Sequence, residues 1–183
     1  MTGKASRCES AHVKEHSRQL VVMRHAKAEP HGDSDAEREL VPRGYADALE
    51  AGRWLADRDF TPDAALVSSA RRTATTWVGV AEGGSFEASV VYSDSLYLAG
   101  PETALDLVRE TSYDVRSLIV VGHNPTAAYL AQLLDDGTGD VAAGNEMATG
   151  FPTSALALFE ISGTWRELDL ASARLVGFHV GRG

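Results

Sequence analysis

The sequence has a single cysteine and no long apolar run. Because Cys8 has no second cysteine in the chain to pair with, an internal disulfide is excluded, which fits a reducing compartment such as the cytoplasm. No apolar run approaches the roughly 20 residues that are needed to cross a bilayer. These absences predict a cytoplasmic protein that has no contact with the membrane.

Excess positive charge is also lacking, since 26 acidic residues outnumber 17 lysines and arginines and give a net charge of −9. An acidic protein repels polyanions, so we expect no nucleic-acid partner. The length of 183 residues suits one domain. We expect that domain to be monomeric.

The first residues are polar and contain no apolar stretch of the kind that a secretory signal requires. Cys8, His12 and His16 could suggest a zinc site, but a fourth ligand is missing and the segment has no core of its own. We therefore predict a flexible tail over residues 1–18 and a folded domain over residues 19–183. We expect neither a metal ion nor any other cofactor.

Three short apolar runs, each typical of a buried strand, lead directly into basic residues. In an open parallel sheet, ligands bind just outside the carboxyl ends of the strands, where these residues would lie together. Arginine offers a planar fork of donors that fits phosphate, and histidine can act as a nucleophile or as an acid or base near neutral pH. The runs are Leu20–Met23, followed by Arg24 and His25; Asp63–Val67, followed by Ser68, Ser69, Arg71 and Arg72; and Ser117–Val121, followed by Gly122, His123 and Asn124.

The second of these segments carries a further sign of an anion. Ser68 and Ser69 are predicted to cap the next helix, which puts Arg71 and Arg72 in its first turn. Cations there oppose the helix dipole, so a bound anion would explain them better than chance does. The sequence thus predicts one electropositive pocket for a small anionic ligand.

These motifs together resemble the histidine phosphatase superfamily, and most of all its small single-domain bacterial phosphohistidine phosphatases. Arg24-His25-Ala26 is similar to the opening Arg-His-Gly motif, with alanine where glycine is usual. Ser68–Thr76 resembles the family's Ser-Pro-x-x-Arg-Ala-x-Gln-Thr segment, and Val121–Pro125 resembles the second histidine motif. The similarity runs from about Leu20 to about Val180.

The resemblance implies a metal-independent phosphatase that forms a phosphohistidine intermediate on His25. In the register of the motifs, the second segment's arginine is Arg72, and Arg71 is only its neighbour. The family's Arg-x-Leu-x-x-x-Gly segment matches at Arg38, with Arg43 as a rival. The implied catalytic residues are His25, His123, Arg24 and Arg72, and the implied substrate-binding residues are Arg38 and Asn124.

A general acid is not evident. Many sugar-phosphate phosphatases of the superfamily carry a glutamate just after the strand that matches Ser89–Tyr92, because a basic alkoxide leaving group needs a proton. Only Asp94 and Glu102 are near that place here, and both are better explained by a turn and a helix start. The imidazole of a phosphoramidate leaves more easily, so phosphohistidine on a protein is the expected substrate.

Two alternatives stay open from the sequence. The chain could be a general phosphomonoesterase that acts on small phosphate esters. A mutase on small metabolites is a weaker form of this alternative, because the chain lacks insertions that would cover a substrate and has no evident acid. The chain could also be a phosphate-binding module without catalysis, although simple binding would not need His25.

Strands that alternate with helices predict an α/β fold, a three-layer sandwich. The resemblance implies that this sandwich is phosphoglycerate mutase-like. The last strands follow one another without long helices, so the mostly parallel central sheet should have an antiparallel edge. The expected helices are 45–58, 72–81, 102–110 and 126–134; the expected loops are 94–100 and 139–152, and residues 165–170 are expected to pair as a strand.

Overall fold

The computed structural model describes residues 17–183, which form one mixed sheet with helices around it. A single-turn 3-10 helix, Trp165–Glu167, precedes the last strand. The other elements are β1 (Ser17–Arg24), α1 (Pro42–Ala56), β2 (Ala64–Ser68), α2 (Arg71–Gly84), β3 (Ser89–Ser93), α3 (Asp94–Tyr97), α4 (Pro101–Arg109), β4 (Ser117–Gly122), α5 (Thr126–Leu134), α6 (Val141–Thr149), β5 (Ala155–Ser162) and β6 (Ala173–Val180).

The six strands lie in the order β3-β2-β4-β1-β5-β6. β1, β2, β3 and β4 are parallel, whereas β5 runs antiparallel to β1 and β6 antiparallel to β5. The predicted sheet, mostly parallel with an antiparallel edge, is confirmed.

The sheet has a core on each face, because successive side chains of a strand point to opposite sides. Leu20 and Val22 of β1 pack with apolar residues of α4, α5 and α6. Val21 and Met23 of the same strand pack with residues of α1 and α2. Helices therefore cover both faces, as the predicted three-layer α/β sandwich requires. None of the helices within residues 17–183 is long and apolar enough to cross a bilayer.

The first strand is longer than predicted and takes in the last two residues of the predicted tail. β1 begins at Ser17, and Arg18 is almost fully buried. Its guanidinium can be buried because Nη2 donates to the Tyr113 carbonyl at 3.0 Å and Nη1 donates to the Gly163 carbonyl. The polar character of Arg18 does not by itself indicate that two distant carbonyl groups will accept its hydrogen bonds. Cys8 and the rest of residues 1–16 lie outside the described residues.

The predicted loop 139–152 is wrong, because it contains α6. The Asp140 side chain accepts hydrogen bonds from the backbone N–H groups of Ala142 and Ala143 at 2.8 and 3.0 Å. Ala143 and Met147 are buried against the core, so tertiary packing stabilises a helix that glycine content argued against.

Two smaller predictions also differ from the structure. Residues 165–170 do not form a strand, since Thr164 and Glu167 make a capping box that closes a 3-10 turn. The predicted loop 94–100 begins with the short helix α3, whose first turn is capped by Ser93.

The start of α1 lies against the backbone that follows β1. A Cβ atom at Gly44 would lie 2.1 Å from the Lys27 carbonyl oxygen, so only glycine allows this approach. Val41 N–H also donates to the Lys27 carbonyl at 3.1 Å. The helix therefore fixes the chain just after the Arg24-His25 segment.

Candidate active site

Three neighbouring strands bring two histidines and a serine together at their carboxyl ends. His25 follows β1, His123 follows β4 and Ser68 ends β2, and these strands are adjacent in the sheet. The imidazole centroids of His25 and His123 are 5.3 Å apart. The sequence-predicted pairing of the two histidine motifs is thus present in the fold.

The hydrogen bond of His25 determines its tautomer. Nδ1 lies 2.7 Å from the Ala26 carbonyl oxygen, which can only accept, so Nδ1 carries the proton and Nε2 keeps its lone pair. Burial lowers the pKa of His25 to about 4, and the charges of Arg72 and Arg24 act in the same direction. His25 is therefore neutral at neutral pH, with Nε2 as its basic and nucleophilic nitrogen.

A buried threonine connects the His25 turn to α2. The Ala26 N–H donates to Thr76 Oγ1 at 2.9 Å, and the Thr76 hydroxyl donates to the Arg72 carbonyl at 2.6 Å. Thr76 has no solvent exposure. The turn that holds the histidine and the helix that holds Arg72 are thus positioned together.

His123 is positioned by Ser68, which the sequence predicts as a helix cap. Its Nε2 lies 2.7 Å from Ser68 Oγ, whereas the N-cap of α2 is Ala70, without a side-chain hydrogen bond. The predicted capping by Ser68 and Ser69 is therefore wrong, because β2 extends to Ser68 and points its side chain towards β4. Burial, followed by the charge of Arg72, lowers the pKa of His123 to about 3.

The two consecutive arginines of α2 lie in different environments. Arg72 is 5% exposed, and its Nη2 lies 3.0 Å from Asp35 Oδ2. Arg71 has a side chain that is 54% exposed and pairs with Glu39 at 2.8 Å and with Glu37 at 3.7 Å. Of the two, Arg72 is the one buried beside the histidines, in agreement with the motif register.

Arg38 lies beside Asp35, while its predicted rival points elsewhere. Arg38 Nε donates to the Glu29 carbonyl at 2.8 Å, and Nη1 donates to Asp35 Oδ1 at 2.9 Å. Its charge is close enough to lower the pKa of His25. Arg43 is 66% exposed on α1, 4.0 Å from an Asp47 oxygen.

Asp35 and Tyr97 are the site residues that the sequence analysis missed. The Tyr97 hydroxyl donates to Asp35 Oδ2 at 2.6 Å, and its ring lies edge-on to His123 with centroids 5.5 Å apart. The Tyr97 and Arg38 hydrogen bonds hold the pKa of Asp35 well below its usual value, and the same carboxylate raises the pKa of Tyr97. The only sequence signal was the spacing of three residues between Asp35 and Arg38, which suits an ion pair within one turn.

Arg24 and Asn124 meet on one carbonyl oxygen. Arg24 Nη1 and Asn124 Nδ2 donate to the Phe151 carbonyl at 3.1 and 2.8 Å. This contact fixes the segment after α6 against the ends of β1 and β4. A pocket of about 820 Å³ opens beside the pair, and α6 and the end of β6 form its walls.

Similar proteins were found by sequence and by structure, although no protein-family model matches the chain. An uncharacterized protein of Mycobacterium tuberculosis is 40% identical over 162 residues, which are 87% of this chain and 100% of that protein. A structure from Nakamurella multipartitia, provisionally named phosphohistidine phosphatase SixA, is 31% identical, with a TM-score of 0.78 over 89% of this chain and 95% of that one. A protein of the same provisional name from Agrobacterium tumefaciens is also 31% identical, with a TM-score of 0.72 over 88% and 97% of the two chains.

This chain belongs to the histidine phosphatase superfamily. The resemblance of its motifs and the predicted phosphoglycerate mutase-like fold are both confirmed.

Neither carboxylate that was considered as the general acid of this histidine phosphatase is buried. Asp94 and Glu102 are exposed in the first turns of α3 and α4, where they suit the helix dipole. Within residues 17–183, no group of three His, Cys, Asp or Glu side chains is placed to hold a metal ion.

Proposed function

We propose that this histidine phosphatase removes phosphate from phosphohistidine on a signalling or carrier protein, through a phosphorylated intermediate on His25. The observation that carries the proposal is the state of His25. The ring is buried and neutral, and the Ala26 carbonyl holds its Nδ1–H. Nε2 is therefore the ring nitrogen that can attack phosphorus.

The buried polar atoms around His25 support an anionic ligand. Arg24 Nε, Arg72 Nε and His123 Nδ1 are buried and have no hydrogen-bond partner among residues 17–183. Buried polar groups are normally paired, and a charged donor pairs best with an oxyanion. In the proposed complex, phosphoryl oxygens accept from the two guanidinium groups and from the imidazole.

The proposed reaction has two steps. The Nε2 lone pair of His25 forms a bond to phosphorus, the bond from phosphorus to the substrate nitrogen breaks, and its electron pair goes to the substrate imidazole. The His25 ring then carries a positive charge, which Nδ1–H shares with the Ala26 carbonyl. Water next attacks phosphorus, the electron pair returns to Nε2, and the proton of water goes to solvent.

His123 and Arg72 would stabilise the charge on the equatorial oxygens during both steps. His123 is neutral in the structure. A phosphate dianion beside it would raise its pKa, because an opposite charge nearby favours the protonated ring. Arg38 and Asn124 are the proposed substrate-binding residues. Arg38 Nη1 donates to Asp35 and Asn124 Nδ2 donates to the Phe151 carbonyl, so each would bind the substrate through its remaining N–H groups.

The choice of phosphohistidine over an ester rests on the leaving group. Asp94 and Glu102 are exposed, and the low pKa of Asp35 keeps that carboxylate ionised, so none of them suits the delivery of a proton to an alkoxide. A protonated imidazole leaves without such help. The names of the Nakamurella and Agrobacterium relatives support the same substrate.

The test is dephosphorylation of a purified phosphohistidine protein by the wild-type chain and by His25→Ala. We expect His25→Ala to abolish turnover but to retain measurable vanadate binding, because the arginines remain. Quenched wild-type reactions should contain acid-labile, base-stable phosphate on His25. The matched control is His31→Ala, which removes an exposed histidine of the following loop. Turnover of 4-nitrophenyl phosphate without any turnover of phosphohistidine would instead identify a general phosphomonoesterase.

A further inference from the structure

Asp35 is held at the rim of the site by donors from three different segments. Arg38 in its own loop donates to Oδ1 at 2.9 Å, and Arg72 of α2 and Tyr97 of α3 donate to Oδ2 at 3.0 and 2.6 Å. The loop itself is fixed to α2, because Arg71 N–H donates to the Ala36 carbonyl at 2.8 Å. A carboxylate with this many partners has a defined position beside the histidines.

Asp35 is the more exposed member of its ion pair with Arg72. Its side chain is 55% exposed, whereas that of Arg72, which it contacts, is 6% exposed and His25 is 9% exposed. In phosphoryl transfer the leaving group departs in line with the nucleophile, on the opposite side of phosphorus. Because His25 is nearly buried, we infer that the leaving group faces the more exposed side of the site, and we place Asp35 on that side.

Asp35 cannot act as a general acid there. Three donors stabilise its ionised form, so it carries a negative charge throughout the neutral pH range. Arg38 and Arg72 offset its charge, but within residues 17–183 Oδ1 accepts from Arg38 alone and keeps a lone pair for another donor. That lone pair can accept an N–H of a cationic imidazolium, whereas the phenolate or alkoxide oxygen of an ester has no proton to donate to it.

We propose that Asp35, held by Arg38, Arg72 and Tyr97, is a specificity residue that accepts a hydrogen bond from the protonated imidazole of the substrate. This inference rests on the proposed function. The interaction keeps the second ring nitrogen of phosphohistidine protonated, so that when the bond from phosphorus to nitrogen breaks, the electron pair neutralises the ring. The leaving group is then neutral imidazole, and no proton has to be delivered.

The test compares Asp35→Asn with wild type on free phosphohistidine and on 4-nitrophenyl phosphate between pH 6 and pH 9. The amide keeps an oxygen that can accept from Arg72 and Tyr97 but loses the charge. An opposite charge at close range raises a pKa by about 1–3 units, so kcat/KM for phosphohistidine should fall about tenfold or more at alkaline pH. Its alkaline limb should move to lower pH, and kcat/KM should fall more for phosphohistidine than for the ester, which shares only the weakened Arg72 contact. Asp33→Asn, which removes an exposed charge of the same loop, should change neither substrate.

Each other outcome overturns the inference. Equal losses of kcat/KM on phosphohistidine and on the ester would mean that Asp35 only positions Arg72. Equal gains of kcat/KM would mean that Asp35 competes with phosphate for the arginines. An unchanged ratio of the two kcat/KM values, with an unchanged pH profile, would mean that Asp35 does not contact the leaving group. These results leave the proposed function intact if the wild type cleaves phosphohistidine. A wild-type chain that cleaves only the ester would refute the proposed function and, with it, this inference.

Discussion

Replacing each of the two consecutive arginines of α2 tests how the site binds phosphate. Arg72 is almost completely buried, and its Nε has no hydrogen-bond partner among the described residues. Arg71, one position earlier, is half-exposed and pairs with two glutamates. Because the residues share a type, a helix and a turn, Arg71→Ala is a matched control for Arg72→Ala.

The structure sets the expected magnitudes. Removing one preorganised donor from a transition state costs roughly 2–4 kcal/mol, which corresponds to a loss of roughly 30- to 900-fold in kcat/KM. The Arg71 guanidinium is exposed and paired with Glu37 and Glu39, and such exposed pairs contribute only roughly 0.2–1 kcal/mol to stability. Since Arg71 is not buried with the histidines, kcat/KM of Arg71→Ala should stay within roughly threefold of wild type, a difference of about 0.7 kcal/mol. Arg72→Lys should fall between the two, since it keeps the charge but loses the planar fork.

The assay is kcat/KM on a phosphohistidine protein, together with the midpoint of thermal unfolding for every variant. The unfolding data separate lost catalysis from lost folding, which is necessary because Arg72→Ala also leaves a small cavity. Equal losses at the two positions, or a larger loss at Arg71, would refute the register of the motif. If the fall in kcat/KM of Arg72→Ala is explained by a matching fall in its unfolding midpoint, a direct contact of Arg72 with phosphate is refuted.

Four further predictions follow from the site and its supports. The folded state lowers the pKa of His25 to about 4, so as pH falls the unfolded chain takes up the proton before the folded chain does. The contribution of His25 to the free energy of unfolding is therefore complete above about pH 6.5 and is lost as pH falls through about 4. The same ionisation should reduce kcat/KM near pH 4 in a pH–rate profile. Thr76→Val should destabilise the fold by about 1–3 kcal/mol in urea unfolding, because it leaves the buried Ala26 N–H without an acceptor; no loss would exclude that role. Gly44→Ala should cost about 1–3 kcal/mol in the same assay, since its Cβ would overlap the Lys27 carbonyl, and a neutral result would show that α1 moves freely. Asp94→Asn and Glu102→Gln should each lower phosphohistidine turnover less than tenfold, whereas a true general acid contributes about 10²–10⁴-fold, so a larger drop at either one would identify it.

The sequence by itself determined the features that are local in the chain. An apolar run that leads into a histidine predicts a buried strand that ends just before that histidine, and both histidine motifs confirm it. Alternation of strands and helices determined the three-layer arrangement, because each element must bury its apolar face against another. The antiparallel edge followed from the absence of long helices between the last strands.

Packing against distant residues was needed wherever a local signal was weak or misleading. Glycine content predicted a loop where α6 forms, because burial of Met147 outweighs the low propensity of its neighbours. The polar Arg18 suggested a tail, but two carbonyl groups more than 90 residues away in sequence accept its hydrogen bonds.

Only the tertiary structure decided how the site is tuned. The sequence predicts Ser68 as a helix cap, but β2 and β4 place its hydroxyl on the ring of His123, 55 residues later. Asp35 and Tyr97 are 62 residues apart, and no motif joins them. Their hydrogen bond exists because the loop after β1 and the turn after β3 meet beside α2. The Arg24-His25 motif is thus encoded in a continuous segment, whereas the protonation of His25 and the charge beside it depend on groups that come together only when the sheet forms.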